Sequence, residues 1–265
     1  MADQFDNAIQ YYENAVRLYR KQEFDKAIDF AKMAISIIPD LAPAYNVKGN
    51  AHYGKGEYDE AIEAQTFAIK FNEEAFQRKI SESGNSKTNE MLNNWKKIKA
   101  VYYFNRGNAY DDNNDFENAE KDFSEAIKIN PKFANAYNSR GTIHIKNGNY
   151  INAIDDFTKA IQNNYEKLPF VYQNRSHAFL HLKKYEEAIS DCQKAIEIDP
   201  FYAHTYNTLG IIYAAMGDYD NARLSYEKAI KIEPNYREPK NNLKLLGQKP
   251  TEYETFSSVE LGPLK

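Results

Sequence analysis

Blocks that begin at Ala8, Ala42, Ala100, Ala134, Pro169 and Ala203 align with a period of 34 residues. A period of this length calls for tandem supersecondary units, each too small to bury its own apolar face and each completed by its neighbours. The eighth position is Ala15, Gly49, Gly107, Gly141, Ser176 or Gly210, and the twentieth and twenty-seventh are alanine in every block, from Ala27 and Ala34 to Ala222 and Ala229. Position 4 is always tyrosine, from Tyr11 to Tyr206, and position 17 is Phe24, Tyr58, Phe116, Tyr150, Tyr185 or Tyr219.

Positions 4, 8 and 11 share one face of a first helix, and positions 20, 24 and 27 share one face of a second, because residues three or four apart lie on the same side. Small residues admit close backbone approach, while the aromatic ones fill the space between neighbouring pairs. Pro39, Pro131, Pro200 and Pro234 stand at position 32, where the missing amide donor stops the second helix. Each unit is therefore a helical hairpin.

These small, aromatic and proline positions resemble the tetratricopeptide repeat family. The resemblance implies an all-α, right-handed superhelical solenoid of six hairpins, at 8–41, 42–75, 100–133, 134–167, 169–202 and 203–236. A capping helix follows at 237–248, so that 1–248 reads as one solenoid. Residues 249–265 hold Pro250 and Pro263 and too little apolar content for a domain, and they read as a flexible tail. Departures from the family pattern are Glu73 and Tyr165 at position 32, the extra Leu168, and the insertion 76–99.

The register also disposes of a tempting metal loop. In DDNNDFENAEKD, Asp111, Asn113 and Asp115 alternate like the first ligands of a calcium-binding EF-hand, but Phe116 stands where that loop needs glycine. Sibling repeats place Gly56, Gly148 and Gly217 where Asn114 falls, so the stretch reads as a turn between helices.

A resemblance of this kind also implies a concave wall lined by the first helices. Positions 2, 5, 6, 9, 12 and 13 make up its stripe, which asparagine dominates. Tyr12 and Arg20 come from the first repeat, Asn46 and Asn50 from the second, and Asn105 and Asn108 from the third; Asn135, Asn138 and Lys146 follow, then Asn174, His177, His204 and Asn207. An amide side chain offers both donor and acceptor, so a ladder of them can pair with the backbone of an extended peptide. Co-chaperones of this family hold acidic chaperone tails through lysine and arginine at positions 2, 5 and 6. Here the best triple supplies Asn46, Asn50, Asn105, Asn135 and Ser139 with no cation, and a carboxylate needs charge-assisted donors.

Arg106, Arg140 and Arg175 at position 7 read as packed stems whose heads reach acids or water, and acidic pairs such as Asp155 with Asp156 as facing solvent or pairing with lysines. His177 and His181 have chelating spacing, with His204 in the next repeat, but no fourth ligand is evident and no metal is expected. Phosphate-loop, dinucleotide and nucleophile-elbow motifs do not occur, and no catalytic residue or cofactor is expected. A net charge of −4 without a clustered basic face speaks against nucleic acid. No apolar run approaches membrane-spanning length, and the single Cys192 suits a reducing cytoplasm.

Without its proline, the second helix of repeat 2 can run on through Phe76 and Ile80, and a helix from about Thr88 carries Met91 and Trp95 into repeat 3. The insertion is thus expected to form an ordered hairpin with SESGNSK at its tip and a partner-binding strip of Phe76, Ile80, Met91 and Trp95. Three functional readings follow: an adaptor that binds a protein or peptide in its groove, a self-associating scaffold that uses the insertion, and, remotely, a metal-dependent enzyme.

Overall fold

The small residue at position 8 faces position 24 of the same hairpin, and the sizes compensate. A Cβ on Gly107 would lie 2.7 Å from the Phe123 ring, and one on Gly210 would lie 2.5 Å from the Tyr226 ring. Where position 8 is Ser176, its partner shrinks to Cys192, 3.0 Å from the serine hydroxyl, and Ala15 and Ala31 share one buried cluster. A large residue at position 24 thus goes with glycine at position 8 and a small one with serine or alanine, which avoids overlap in a close-packed interior.

The computed structural model describes residues 2–83 and 88–247. They form thirteen α-helices and no strand: α1 (Ala2–Arg20), α2 (Phe24–Ile37), α3 (Ala42–Lys55), α4 (Tyr58–Ser83), α5 (Thr88–Asp112), α6 (Phe116–Ile129), α7 (Ala134–Lys146), α8 (Tyr150–Gln162), α9 (Leu168–His181), α10 (Tyr185–Ile198), α11 (Ala203–Ala215), α12 (Tyr219–Ile232) and α13 (Arg237–Gly247). The expected tail, 249–265, and the centre of the insertion tip, 84–87, lie outside the described residues.

The chain divides into two compact units, 1–139 and 140–265, with the boundary inside α7. In the first unit, α1 packs on α2, α3 on α4 and α5 on α6, while α1 also touches α3 and α3 touches α5. In the second, α9 packs on α10 and α11 on α12, and α11 touches both α9 and α13. First helices therefore adjoin one another within each unit, which gives each unit a shared inner side. At the end of the second unit, Leu243 and Leu246 of α13 pack on a cluster of Ile211, Ala214, Ala222 and Tyr226.

Position 15 turns each hairpin. Gln22, Gly56, Asn114, Gly148, Lys183 and Gly217 all have φ between +58° and +82°. Glycine takes this left-handed region freely and other residues at a cost. The aspartate-rich stretch is such a turn: Asp115 caps α6 by accepting from the Asn118 amide at 3.2 Å, its second oxygen accepts from Asn118 Nδ2 at 2.7 Å, and Asp112 accepts from the Tyr53 hydroxyl.

Glu73, standing where proline is usual, lets α4 continue to Ser83. Its carboxylate accepts from Lys99 of α5, and Lys99 also lies 4.8 Å over the Trp95 ring. Phe76 and Trp95 stack at 3.9 Å, and the indole N–H donates to the Asn72 carbonyl at 2.9 Å. Arg78 pairs with Asp40, before α3. Of the expected strip, Phe76 and Trp95 meet, Ile80 instead is exposed, and the side chain of Met91 lies outside the described residues.

Candidate functional site

In the 1–139 unit, the inner side carries Tyr12 and Arg20 on α1, Asn46 and Asn50 on α3, and Asn105 and Asn108 on α5, none of them fully buried. The amides are wired to one another. Asn105 Nδ2 donates to Asn46 Oδ1 at 2.9 Å, and Gln65 Nε2 donates to Asn50 Oδ1 at 2.8 Å and to the Asn46 carbonyl at 3.2 Å. Each wired asparagine spends one end of its amide and keeps the other, so Asn46 and Asn50 present N–H₂ groups and Asn105 presents an oxygen. Gln65, which holds Asn50 in place, is buried opposite Gly49. It occupies position 24, which a reading of inward positions alone passes over.

Asparagines later in the chain behave differently. Asn138, Asn174 and Asn207 are buried, which removes all three from the set that can reach a ligand at the surface. Asn207 donates to the Tyr236 hydroxyl at 3.4 Å and accepts from Asn242 at 3.1 Å, so it anchors α13. Asn135, Lys146 and His204 are exposed.

The histidines do not converge. His204 lies between Tyr202 and Tyr236, at 5.3 and 4.6 Å. His181 stacks flat on Tyr150 at 4.3 Å and meets His177 edge-on. Burial, helped by the neighbouring His181, pushes the His177 pKa down to about 3, so its imidazole is neutral, and neither ring nitrogen has a hydrogen-bond partner. Among the described residues, no group of three or more His, Cys, Asp or Glu could hold a metal ion. Burial also raises the Cys192 thiol to about 12, far from the thiolate state that reactive cysteines need.

The heads of the position-7 arginines reach acids, as expected, and those acids are buried. Arg106 donates bidentately to Asp122, Arg140 to Asp156 and Arg175 to Asp191, all at 2.7–2.8 Å. Arg106 and Arg175 each also donate to a threonine of the preceding second helix, Thr66 at 3.0 Å and Thr158 at 2.8 Å. Burial would lower the Arg106 pKa, but the Asp122 carboxylate more than offsets it. Asp155 pairs with Lys159 on the surface, as expected, whereas Asp156 is interior and pairs with Arg140, a correction to the reading of it as facing solvent or a lysine. An arginine followed sixteen residues later by aspartate in three successive repeats was the available signal.

Adjacent helical hairpins with small-residue contacts and a shared inner side define a helical-repeat protein. Models described as tetratricopeptide repeat match residues 42–74, 100–133, 123–155 and 168–234. The chain belongs to the tetratricopeptide repeat family. It is 25% identical over 238 residues to Hsp70-Hsp90 organizing protein 3 of Arabidopsis thaliana, which covers 82% of this chain and 35% of that protein. With the Hsp70-Hsp90 organising protein of Plasmodium falciparum it shares 30% identity over 150 residues, covering 48% and 27%. The chain thus spans about a third or less of the length of these curated relatives. Among solved structures, Pseudomonas aeruginosa pilF shares the fold with a TM-score of 0.68 at 15% identity, over 92% of this chain and 99% of that one. The APC/C hetero-tetramer Cut9-Hcn1 does so with a TM-score of 0.68 at 16% identity, over 91% and 43%. No helix among the described residues is long and apolar enough to cross a membrane.

Proposed function

We propose that the chain is a non-catalytic adaptor that holds an extended polypeptide against the inner side of the 1–139 unit. The observation that carries this reading is the wired amide row, in which Asn46, Asn50 and Asn105 are fixed by side-chain hydrogen bonds yet keep open donors and an acceptor. A fixed amide loses little rotamer freedom when a ligand arrives, so its hydrogen bonds are not offset by ordering. Such a row reads main-chain N–H and C=O groups whatever the ligand's side chains. The names of the curated relatives, which organise Hsp70 and Hsp90, support a role in bringing proteins together.

The test is selection of a displayed peptide library on the full chain, followed by fluorescence anisotropy with a selected peptide. Asn46→Ala with Asn105→Ala removes a mutually bonded pair and should weaken binding about 30-fold, the equivalent of two hydrogen bonds near 1 kcal/mol each. Far-UV circular dichroism should not change. Equal binding by the double variant and the parent would place the ligand elsewhere.

Exposed Ile80, Ile98 and Val101 on α4 and α5 favour a second reading, in which the elongated pair mediates self-association. Sedimentation velocity across a concentration series decides it: mass that rises with concentration and stays constant in an Ile98→Lys variant supports it, and a constant monomer mass excludes it.

A further inference from the structure

An open cavity of about 450 Å³ runs along the inner side of α1, lined by Tyr12, Glu13, Val16, Arg17, Arg20 and Lys21. We propose that it anchors the acidic side chains of a peptide segment. This deepens the groove reading above and rests on it.

Three cations against one acid stand out in a chain whose net charge is −4. Arg17 lies three residues from Arg20 on one side of α1, Lys21 follows in the turn just after the helix, and all three line the cavity. Downstream of the set, Glu23 pairs with Lys26 at 2.6 Å and Asp25 with Lys55 at 2.7 Å, which leaves Glu13 as the one acid in the lining. Arg17 donates only to the uncharged Asn14, at 3.1 Å, and among the described residues neither Arg20 nor Lys21 makes an ion pair. Cations at a helix C-terminus do complement the macrodipole. The corresponding Lys55 at the end of α3, however, is neutralised by Asp25 and Glu57, whereas the set at the end of α1 keeps its charge available.

The rest of the cavity suits a peptide. Tyr12 and Val16 rest on the buried Ala15, Ala31 and Val47, which gives the cations a packed apolar floor. Burial raises the Tyr12 pKa, so its hydroxyl remains a donor at neutral pH. The amide row begins on α3, which adjoins α1, so the cavity and the row belong to neighbouring first helices. Arg17, Arg20 and Lys21 stand at positions 10, 13 and 14 of their repeat. The cations by which co-chaperones of this family clamp a chain terminus stand elsewhere, and the present site addresses side-chain carboxylates. Three cations at one helix end make too short a stripe to track a nucleic-acid backbone.

The experiment compares fluorescein-labelled, terminally capped hexaglutamate and hexaglutamine by anisotropy with the full chain, at about 50 mM and about 300 mM salt. Hexaglutamate should bind at least about 10-fold more tightly than hexaglutamine at the lower salt, and the gap should shrink at the higher. Arg20→Glu with Lys21→Glu should abolish the preference, while Lys32→Glu with Lys70→Glu, the same change in net charge on second helices, should preserve it. Asn46→Ala with Asn105→Ala should weaken both peptides yet keep the preference, which separates the two readings. Absent binding of hexaglutamate, equal binding of the two peptides, or equal loss in both charge-reversal variants overturns the proposal. Tighter binding of a single-stranded oligothymidylate, lost in Arg20→Glu with Lys21→Glu, overturns it in favour of nucleic acid.

Discussion

Removing the guanidinium of Arg175 should be among the costliest single changes in the 140–265 unit. Asp191 is 2% exposed and receives both bonds of the fork, at 2.7 and 2.8 Å. Arg175→Ala leaves that carboxylate interior and without the fork; Lys194, 3.8 Å away on an exposed stem, is a poor substitute. Breaking one side of a buried pair costs about 3–5 kcal/mol. Loss of the bond to Thr158 and of contacts 5.6 and 5.8 Å from the Tyr172 and Phe179 rings places the expected value near the upper end, about 4–5 kcal/mol. At about 2–4 °C per kcal/mol, thermal unfolding followed by far-UV circular dichroism should shift down by about 10 °C or more. Arg175→Leu with Asp191→Leu removes both charges and restores apolar volume, and should return to within about 1 kcal/mol of the parent, since an apolar replacement of a buried ion pair is often neutral. A double variant as unstable as Arg175→Ala, or a single variant within about 1 kcal/mol of the parent, would refute the assignment of the cost to a stranded buried charge.

His177 should make the fold sensitive to acid. Its folded pKa, near 3, lies below the unfolded value near 6.5, so the unfolded chain binds the extra proton; the contribution is intact above about pH 6.5 and is lost as pH falls toward the folded pKa. By pH 5 the loss is about 2 kcal/mol, and urea titrations should show that His177→Gln loses less stability than the parent between pH 7 and pH 5. Lys183 holds φ at +58° without being glycine, so Lys183→Gly should raise stability by about 1 kcal/mol, read as a higher urea midpoint; the same change at Arg223, inside α12, should lower it. Trp95 is the sole tryptophan, stacked on Phe76 and bonded to Asn72. Its emission should be blue-shifted in the parent and move to the red in Phe76→Ala, and a parent spectrum like that of free tryptophan would dissolve the packed base of the insertion.

What could be read from the chain alone was whatever depends on periodicity. The small residues at position 8, the turn at position 15 and the α4 run-on past Glu73 each follow from residue type and spacing, and the helices confirm them. Hydrogen-bond wiring was not legible to the same degree. Asn105 and Asn174 both stand at position 6, yet one is partly open and the other fully buried, because a position names a side of a helix and not how closely its neighbours shut over it. Asp156 was misread for a related reason: its partner Arg140 lies on another helix, and pairing across helices depends on their axial offset. The cations at the end of α1 drew no attention beyond Arg20, since their significance lies in the pairing of Glu23 and Asp25 with other lysines.

The arginine forks also bear on how the protein comes apart. Arg106 joins α4, α5 and α6 through Thr66 and Asp122, and Arg175 joins α8, α9 and α10 through Thr158 and Asp191. In a linear array where each hairpin feels only its neighbours, opening would otherwise proceed one unit at a time from either end. Peeling α10 from α9 strands the Arg175 guanidinium, and peeling α8 breaks its third bond, so these helices gain by staying or leaving together. Amide protons of α8 to α10 should therefore exchange with solvent at a common free energy, as one foldon, while α1, α2 and α11 to α13, where no such fork occurs among the described residues, release theirs earlier and in graded order.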